Sequence, residues 1–201
     1  MDSSGKRVKF LGIFITYDVK ILVEKNFKQR LKKIANLINL WKSRGLSIDG
    51  KVSIIKAILL PKMIYPSSFL STPATVIKEF NALVFDFLWN GKDKVIRHST
   101  YTPYDAGGLK MIDYETIVKA LRLSWLKRIV DVECCGFWKQ YLNYLLSNKG
   151  GLFFLECNYD VKQTNILPIF YHELLSWWAE LREIVDPDSG HEYILWNNKK
   201  F

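Results

Sequence analysis

The chain has 201 residues, 49% of them hydrophobic, and a formal charge of +9. That composition excludes a disordered chain and supplies enough apolar surface for one well-buried core, or a core with a smaller appendage. Three cysteines without Cys-x-x-Cys spacing, no apolar run near the ~20 residues of a membrane span and a start that leads into no signal-peptide core together predict an intracellular protein, nuclear or cytoplasmic, with reduced thiols.

Val8 to Thr16 reads as a short strand or hairpin arm, rich in Val, Ile, Phe and Thr and interrupted by Gly12. Such a short apolar arm is marginal alone, so it is expected to need a partner strand outside the chain. From Glu24 to Arg44 the period turns helical: Phe27, Leu31, Ile34, Ile38 and Trp41 recur at spacings of four and three and form one buried stripe. Lys25, Lys28, Lys32 and Lys33 lie off that stripe. Gly45 stops the helix, and Ser47-Ile48-Asp49-Gly50 is a short loop. A second helix from about Lys51 towards Leu60 is apolar on nearly every side and should be central, with Pro61 and Pro66 ending or kinking it. A third starts at Ser71-Thr72-Pro73 and buries Val76, Phe80, Leu83 and Phe87.

Residues 90–113 read as a polar connector, with Gly107-Gly108 as a tight turn needing positive φ. The fourth helix, about Thr116 to Val130, presents Ile117, Leu121, Ser124 and Trp125 as its apolar stripe, with Lys119, Arg122, Lys127 and Arg128 around it. Phe137 to Leu146 is a shorter fifth. Phe170, Leu174, Trp177 and Leu181 mark a sixth, whose polar side is acidic through Glu173, Glu180 and Glu183. The fold class expected is mainly α: a helical bundle preceded by a short β-strand or hairpin element. Four segments follow: 1–18, a β element; 19–90, a helical bundle; 91–148, a basic connector and helices; and 149–201, a mildly acidic helical segment.

Charge is unevenly placed along these elements. Residues 1–128 carry 23 Lys+Arg against 10 Asp+Glu, and residues 129–201 carry 6 against 10. The front half therefore suits a polyanion, nucleic acid first. In the first helix no acid occurs among residues 26–40 to offset Lys28, Lys32 and Lys33, and unpaired like charges on a helix repel. A phosphate backbone would relieve that repulsion; a solvated face is the plainer reading, and both stay open. Gly50-Lys51, at a helix start, likewise reads either as a phosphate site or as an ordinary turn into a core helix.

Carboxylate clusters for two-metal chemistry are missing, since the chain has no Asp-Asp pair. His172-Glu173 opens like a zincin helix, but residue 176 is Ser where a second ligand would sit. Cys134-Cys135 reads as two small hydrophobes.

A succession of blocks carries more. Phe10-Leu11-Gly12 comes first, then Trp41 and Arg44 through Lys51, then Lys56, Leu60-Pro61-Lys62 and Tyr65. Phe87-Leu88-Trp89-Asn90-Gly91-Lys92, Gly107 through Asp113, Ala120 through Trp125, and Leu195-Trp196-Asn197-Asn198 follow in order. The succession covers nearly the whole chain and resembles the region downstream of the catalytic palm in reverse transcriptases of LINE-type (non-LTR) retrotransposons.

The resemblance implies a primer-grip-like β element, a thumb and a following connector that bind the template–primer backbone. It implies nucleic-acid contacts at Lys9, Phe10, Leu11, Gly12, Lys28, Lys32, Lys33, Arg44, Gly50, Lys51, Lys56 and Lys62. Partners would be an RNA or RNA–DNA duplex and the palm domain of a full-length polymerase, with no membrane. The fingers, the palm with its Tyr-x-Asp-Asp block and the upstream endonuclease are not in this sequence. The chain is thus expected to be a fragment, catalytically inactive alone and needing no cofactor, whereas the full-length family enzyme would use Mg²⁺. Residues alone leave open a stand-alone helical nucleic-acid-binding or protein-interaction module, or a non-functional remnant.

Overall fold

A computed structural model describes residues 8–131, 133, 136–157 and 159–185. The described chain is mainly helical, with one two-stranded antiparallel hairpin at its start. It divides into two compact units, Met1–Val118 and Lys119–Phe201.

In the first unit β1 (Val8–Phe10) pairs with β2 (Ile13–Ile15) in the register Val8↔Ile15, Lys9↔Phe14 and Phe10↔Ile13. The two-residue turn between them needs positive φ at both positions, which Leu11 (46°) and Gly12 (80°) supply. The partner strand expected outside the chain is therefore within it, because the turn folds the arm back on itself.

Helix α1 covers residues 19–42: an α segment Val19–Val23, a π segment Glu24–Lys28 and an α segment Gln29–Lys42. Asp18 caps its start, accepting from the N–H groups of Lys20 and Ile21 at 2.8 and 3.2 Å. The helix thus begins a turn and more before Glu24. Phe27, Leu31, Ile34 and Ile38 are buried as the stripe requires. Trp41 is only half-buried, with the Arg44 guanidinium 4.7 Å from its ring centre.

Gly45, at φ 59°, ends α1. Helix α2, residues 48–67, again holds a π segment, Ile55–Leu59, between Ile48–Ile54 and Leu60–Ser67. Pro61 does not end it. The Leu60 N–H reaches back to Ile55 O, and this widened turn gives room where a proline ring would press on the preceding turn. The helix stops just past Pro66. Val52, Ile54, Ile55, Leu59, Leu60 and Met63 bury it centrally.

Helix α3 (Ala74–Trp89) buries Val76, Phe80, Val84, Phe85, Phe87 and Leu88, while Leu83 is half-buried. Residues 91–113 fold back onto it. Short helix α4 (Arg97–Tyr101) sets the Arg97 guanidinium 4.5 Å and the Tyr101 ring 6.3 Å from Phe85. Gly107 has φ 75°, as the tight turn requires, and a Cβ on Gly108 would meet Thr102 O at 2.1 Å.

Helix α5 (Tyr114–Val130) begins with Asp113 accepting from the Thr116 N–H at 2.8 Å. Its buried line is Tyr114, Val118, Arg122, Leu126 and Ile129, not Ile117, Leu121, Ser124 and Trp125. The charge of Arg122 hides that line in the sequence.

The second unit closes around Leu126 and Ile129 of α5, Leu142 of α6 (Phe137–Leu145), Leu174 and Leu175 of α7 (Ile169–Val185), and Leu146, Phe154, Leu155 and Tyr159 of the connection between α6 and α7, which holds a 3-10 turn at Gly151–Glu156. Arg122 lies in it, 3.8 Å from Glu173 and 4.3 Å over the Phe170 ring. Glu173 thus turns towards the interior rather than along an acidic outer side. Leu181 is exposed, and Trp178 instead anchors α7 by donating to Leu155 O at 2.8 Å. Cys134-Cys135 and Leu195 through Asn198 lie outside the described residues.

Candidate nucleic-acid interface

The hairpin is fixed to α1 by one side chain. Asn26, buried in the first π segment, accepts from the Phe14 N–H at 2.9 Å and donates to Phe14 O at 2.8 Å and Leu22 O at 3.0 Å. Lys9↔Phe14 lies between the two flanking pairs of the ladder, where backbone groups point away from the partner strand. The Asn26 amide thus takes the place of a third strand. The π turn is what aims it there, because an extra residue in the turn rotates position 26 off the regular helical register.

Two further side chains hold the turn. Tyr65 Oη donates to Leu11 O at 2.6 Å, and Arg30 donates to Gly12 O at 3.3 Å and Lys62 O at 3.4 Å. Arg30 thereby braces the hairpin against α2.

Between these elements runs a groove of about 800 Å³. Lys9, Gly12 and Phe14 wall it on the hairpin side and Lys62 on the α2 side. Its floor is α1, through Lys25, Gln29, Arg30, Lys33, Asn36, Leu37 and Leu40. Five cations line it and no carboxylate does. Among the described residues no carboxylate pairs with these cations, which favours an anion in the groove.

Of the twelve residues expected at the interface, Lys9, Gly12, Lys33 and Lys62 come together here. Phe10 and Leu11 stand exposed on the adjoining strand end and turn. Lys28 and Lys32 face elsewhere and have acidic neighbours after all. Lys28 pairs with Glu79 of α3, and Lys32 lies 3.9 Å from Glu24. The acid that pairs with Lys28, Glu79, is distant in sequence and so not legible from the helix itself. Arg44 is exposed over Trp41, and Lys56 lies 5.9 Å from the Tyr104 ring centre.

Gly50 and Lys51 serve the fold. Ser47 Oγ accepts from the Gly50 N–H at 3.2 Å, occupying a group that a phosphate would need, and Asp49 adds negative charge in the same turn. Lys51 is 7% exposed, and its Nζ donates to Leu88 O at 3.2 Å and Asn90 Oδ1 at 2.8 Å. It caps the end of α3, where Asn90 adopts the left-handed conformation. Burial, then the charges of Lys42 and Lys94, hold its ammonium below the usual lysine range.

Lys25 and Arg30, which line the groove, and Asn26, which holds its hairpin wall, are candidate positions missing from the expected set. Lys25, Gln29 and Lys33 follow at four-residue steps, a helical signal legible in the sequence. Arg30 and Asn26 carry no such mark, since their partners are backbone atoms of other elements.

Among the described residues no group of three His, Cys, Asp or Glu could hold a metal ion, and no helix is long and apolar enough to cross a membrane. His172 Nδ1 lies 2.7 Å from Thr164 Oγ1. No family model matches the chain.

Proposed function

We propose that the first unit binds the sugar–phosphate backbone of nucleic acid in the five-cation groove, as the template–primer-binding thumb and connector of a retroelement RNA-directed DNA polymerase. The observation that carries the binding reading is the lining: Lys9, Lys25, Arg30, Lys33 and Lys62 converge with no carboxylate among them. Counterion release makes such a surface a phosphate site, and lysine contacts to phosphate carry no base information. The retroelement assignment rests on the order of sequence blocks, and the hairpin beside the groove is where a primer-grip-like element would act. Backbone binding of this kind runs through no metal, and polymerisation is assigned to residues outside this chain.

The test is fluorescence anisotropy of an RNA template annealed to a shorter DNA primer, titrated against salt. Changing Lys25, Lys33 and Lys62 together to Gln should flatten the slope of log K against log salt by roughly two to three units. Lys28→Gln with Lys32→Gln should leave it nearly unchanged. An unaltered slope and affinity in the groove triple variant would overturn the proposal. Primer extension by the pure chain should stay at background, and extension above it would overturn the inactive-fragment reading.

A further inference from the structure

We infer that the groove receives the unpaired strand that continues from a template–primer duplex, with phosphates along its cationic end and a base on the Leu37–Leu40 end, while the paired part stays outside it. The inference rests on the nucleic-acid reading above and names the form of ligand.

Shape is the first argument. The groove is walled by the hairpin on one side and by Lys62 of α2 on the other, and about 800 Å³ is the size of a small-molecule cleft. A cleft of that size is filled by a few nucleotides of one strand, whereas a duplex is far larger than its volume. Spacing is the second. Lys25, Gln29 and Lys33 rise along α1 at about 6 Å per step, comparable with the separation of successive phosphates on one strand. From Lys25 to Leu40 the floor extends about 22 Å, enough for roughly three nucleotides.

Polarity along the floor is the third. The cations gather towards Lys25 and Lys33, and the other end is Leu37 and Leu40 with the Asn36 amide beside them. Leu40 is 54% exposed although its helix has a buried stripe elsewhere. An apolar shelf with an amide at its edge suits an unstacked base, which has an apolar face and a polar rim. In a duplex those faces are already stacked and the shelf would have nothing to cover it.

Fluorescein-labelled 12-nucleotide oligo-dT and oligo-U, a blunt RNA–DNA hybrid of equal length and the same hybrid with a single-stranded overhang distinguish the cases. At physiological salt the single strands and the overhang substrate should bind the full chain at least tenfold more tightly than the blunt hybrid. Lys25→Gln with Lys33→Gln should flatten the single-strand slope by about 1.4 units, at about 0.7 for each phosphate no longer neutralised. Leu40→Ser should weaken the single strand several-fold with its slope unchanged, because no counterion is released where a base meets an apolar side chain. Lys78→Gln with Lys127→Gln serves as the charge control, and circular dichroism checks that each variant is folded. Blunt hybrid binding as tightly as single strand would sink this inference and leave the nucleic-acid reading standing. Binding of none of the four probes would remove the nucleic-acid reading itself.

Discussion

Asn26→Ala isolates the device that sets the hairpin against the basic helix. The substitution removes three hydrogen bonds, two to Phe14 and one to Leu22 O, from a side chain that is 1% exposed. At about 1 kcal/mol net for each bond, the hairpin should lose roughly 2 kcal/mol of its hold on α1 with the two bonds to Phe14, the third being internal to the helix. What remains is the burial of Ile13 and the bonds from Tyr65 and Arg30 to the turn. Opening of the hairpin is a local event, so native-state hydrogen exchange is the assay. Exchange at the Phe14 amide should rise roughly thirtyfold while the global unfolding midpoint moves much less. Asn26→Asp should be worse than Ala, because it sets a carboxylate against Phe14 O, 2.8 Å away in the wild type. Both changes should weaken oligonucleotide binding without removing a cation, since the hairpin supplies Lys9 and Phe14 to the groove. Unchanged protection at Phe14 in Asn26→Ala would refute the clamp.

Lys51→Met should cost about 1–2 kcal/mol near neutral pH by removing the bonds to Leu88 O and Asn90, and leave oligonucleotide affinity unchanged. The folded pKa of Lys51 lies below its unfolded value, so the unfolded chain holds more protons between the two, and wild-type stability should rise with pH there relative to the variant. Tyr114 shows the opposite sign. Burial pushes it up to about 12, so above pH 10 the unfolded chain loses a proton the folded chain keeps, and roughly 3 kcal/mol should be lost by pH 12. Urea titrations across that range should show a shallower alkaline decline for Tyr114→Phe, and an equal decline would refute it. In the second unit, Arg122→Met should cost about 3–5 kcal/mol by stranding Glu173, and adding Glu173→Gln should recover part of it. A single-variant cost under about 1 kcal/mol would remove the pair from the stability of that unit.

Whatever depends on neighbours along the chain is legible in the order of residues alone. Helical spacing places Phe27, Leu31, Ile34 and Ile38 inside, and Gly45 and Gly107 mark a helix stop and a turn where positive φ is required, whereas Gly12, which breaks the strand pattern, is the hairpin turn only in the fold. The basic front half is legible too, although which of its lysines share a surface is not. Packing decides that, because contact with α3 draws Lys28 to Glu79 and Lys42 to Asp86, while the opposite flank of α1 gathers Lys25 and Lys33 with Lys9 and Lys62 from other elements. Periodicity assumes one uniform turn, so it cannot register the two π segments that aim Asn26 at β2 and carry α2 through Pro61. Charge misleads it at Lys51 and Arg122. Both look like surface residues in one dimension, and each is buried because a partner far along the chain, the end of α3 for one and Glu173 with Phe170 for the other, makes burial tolerable.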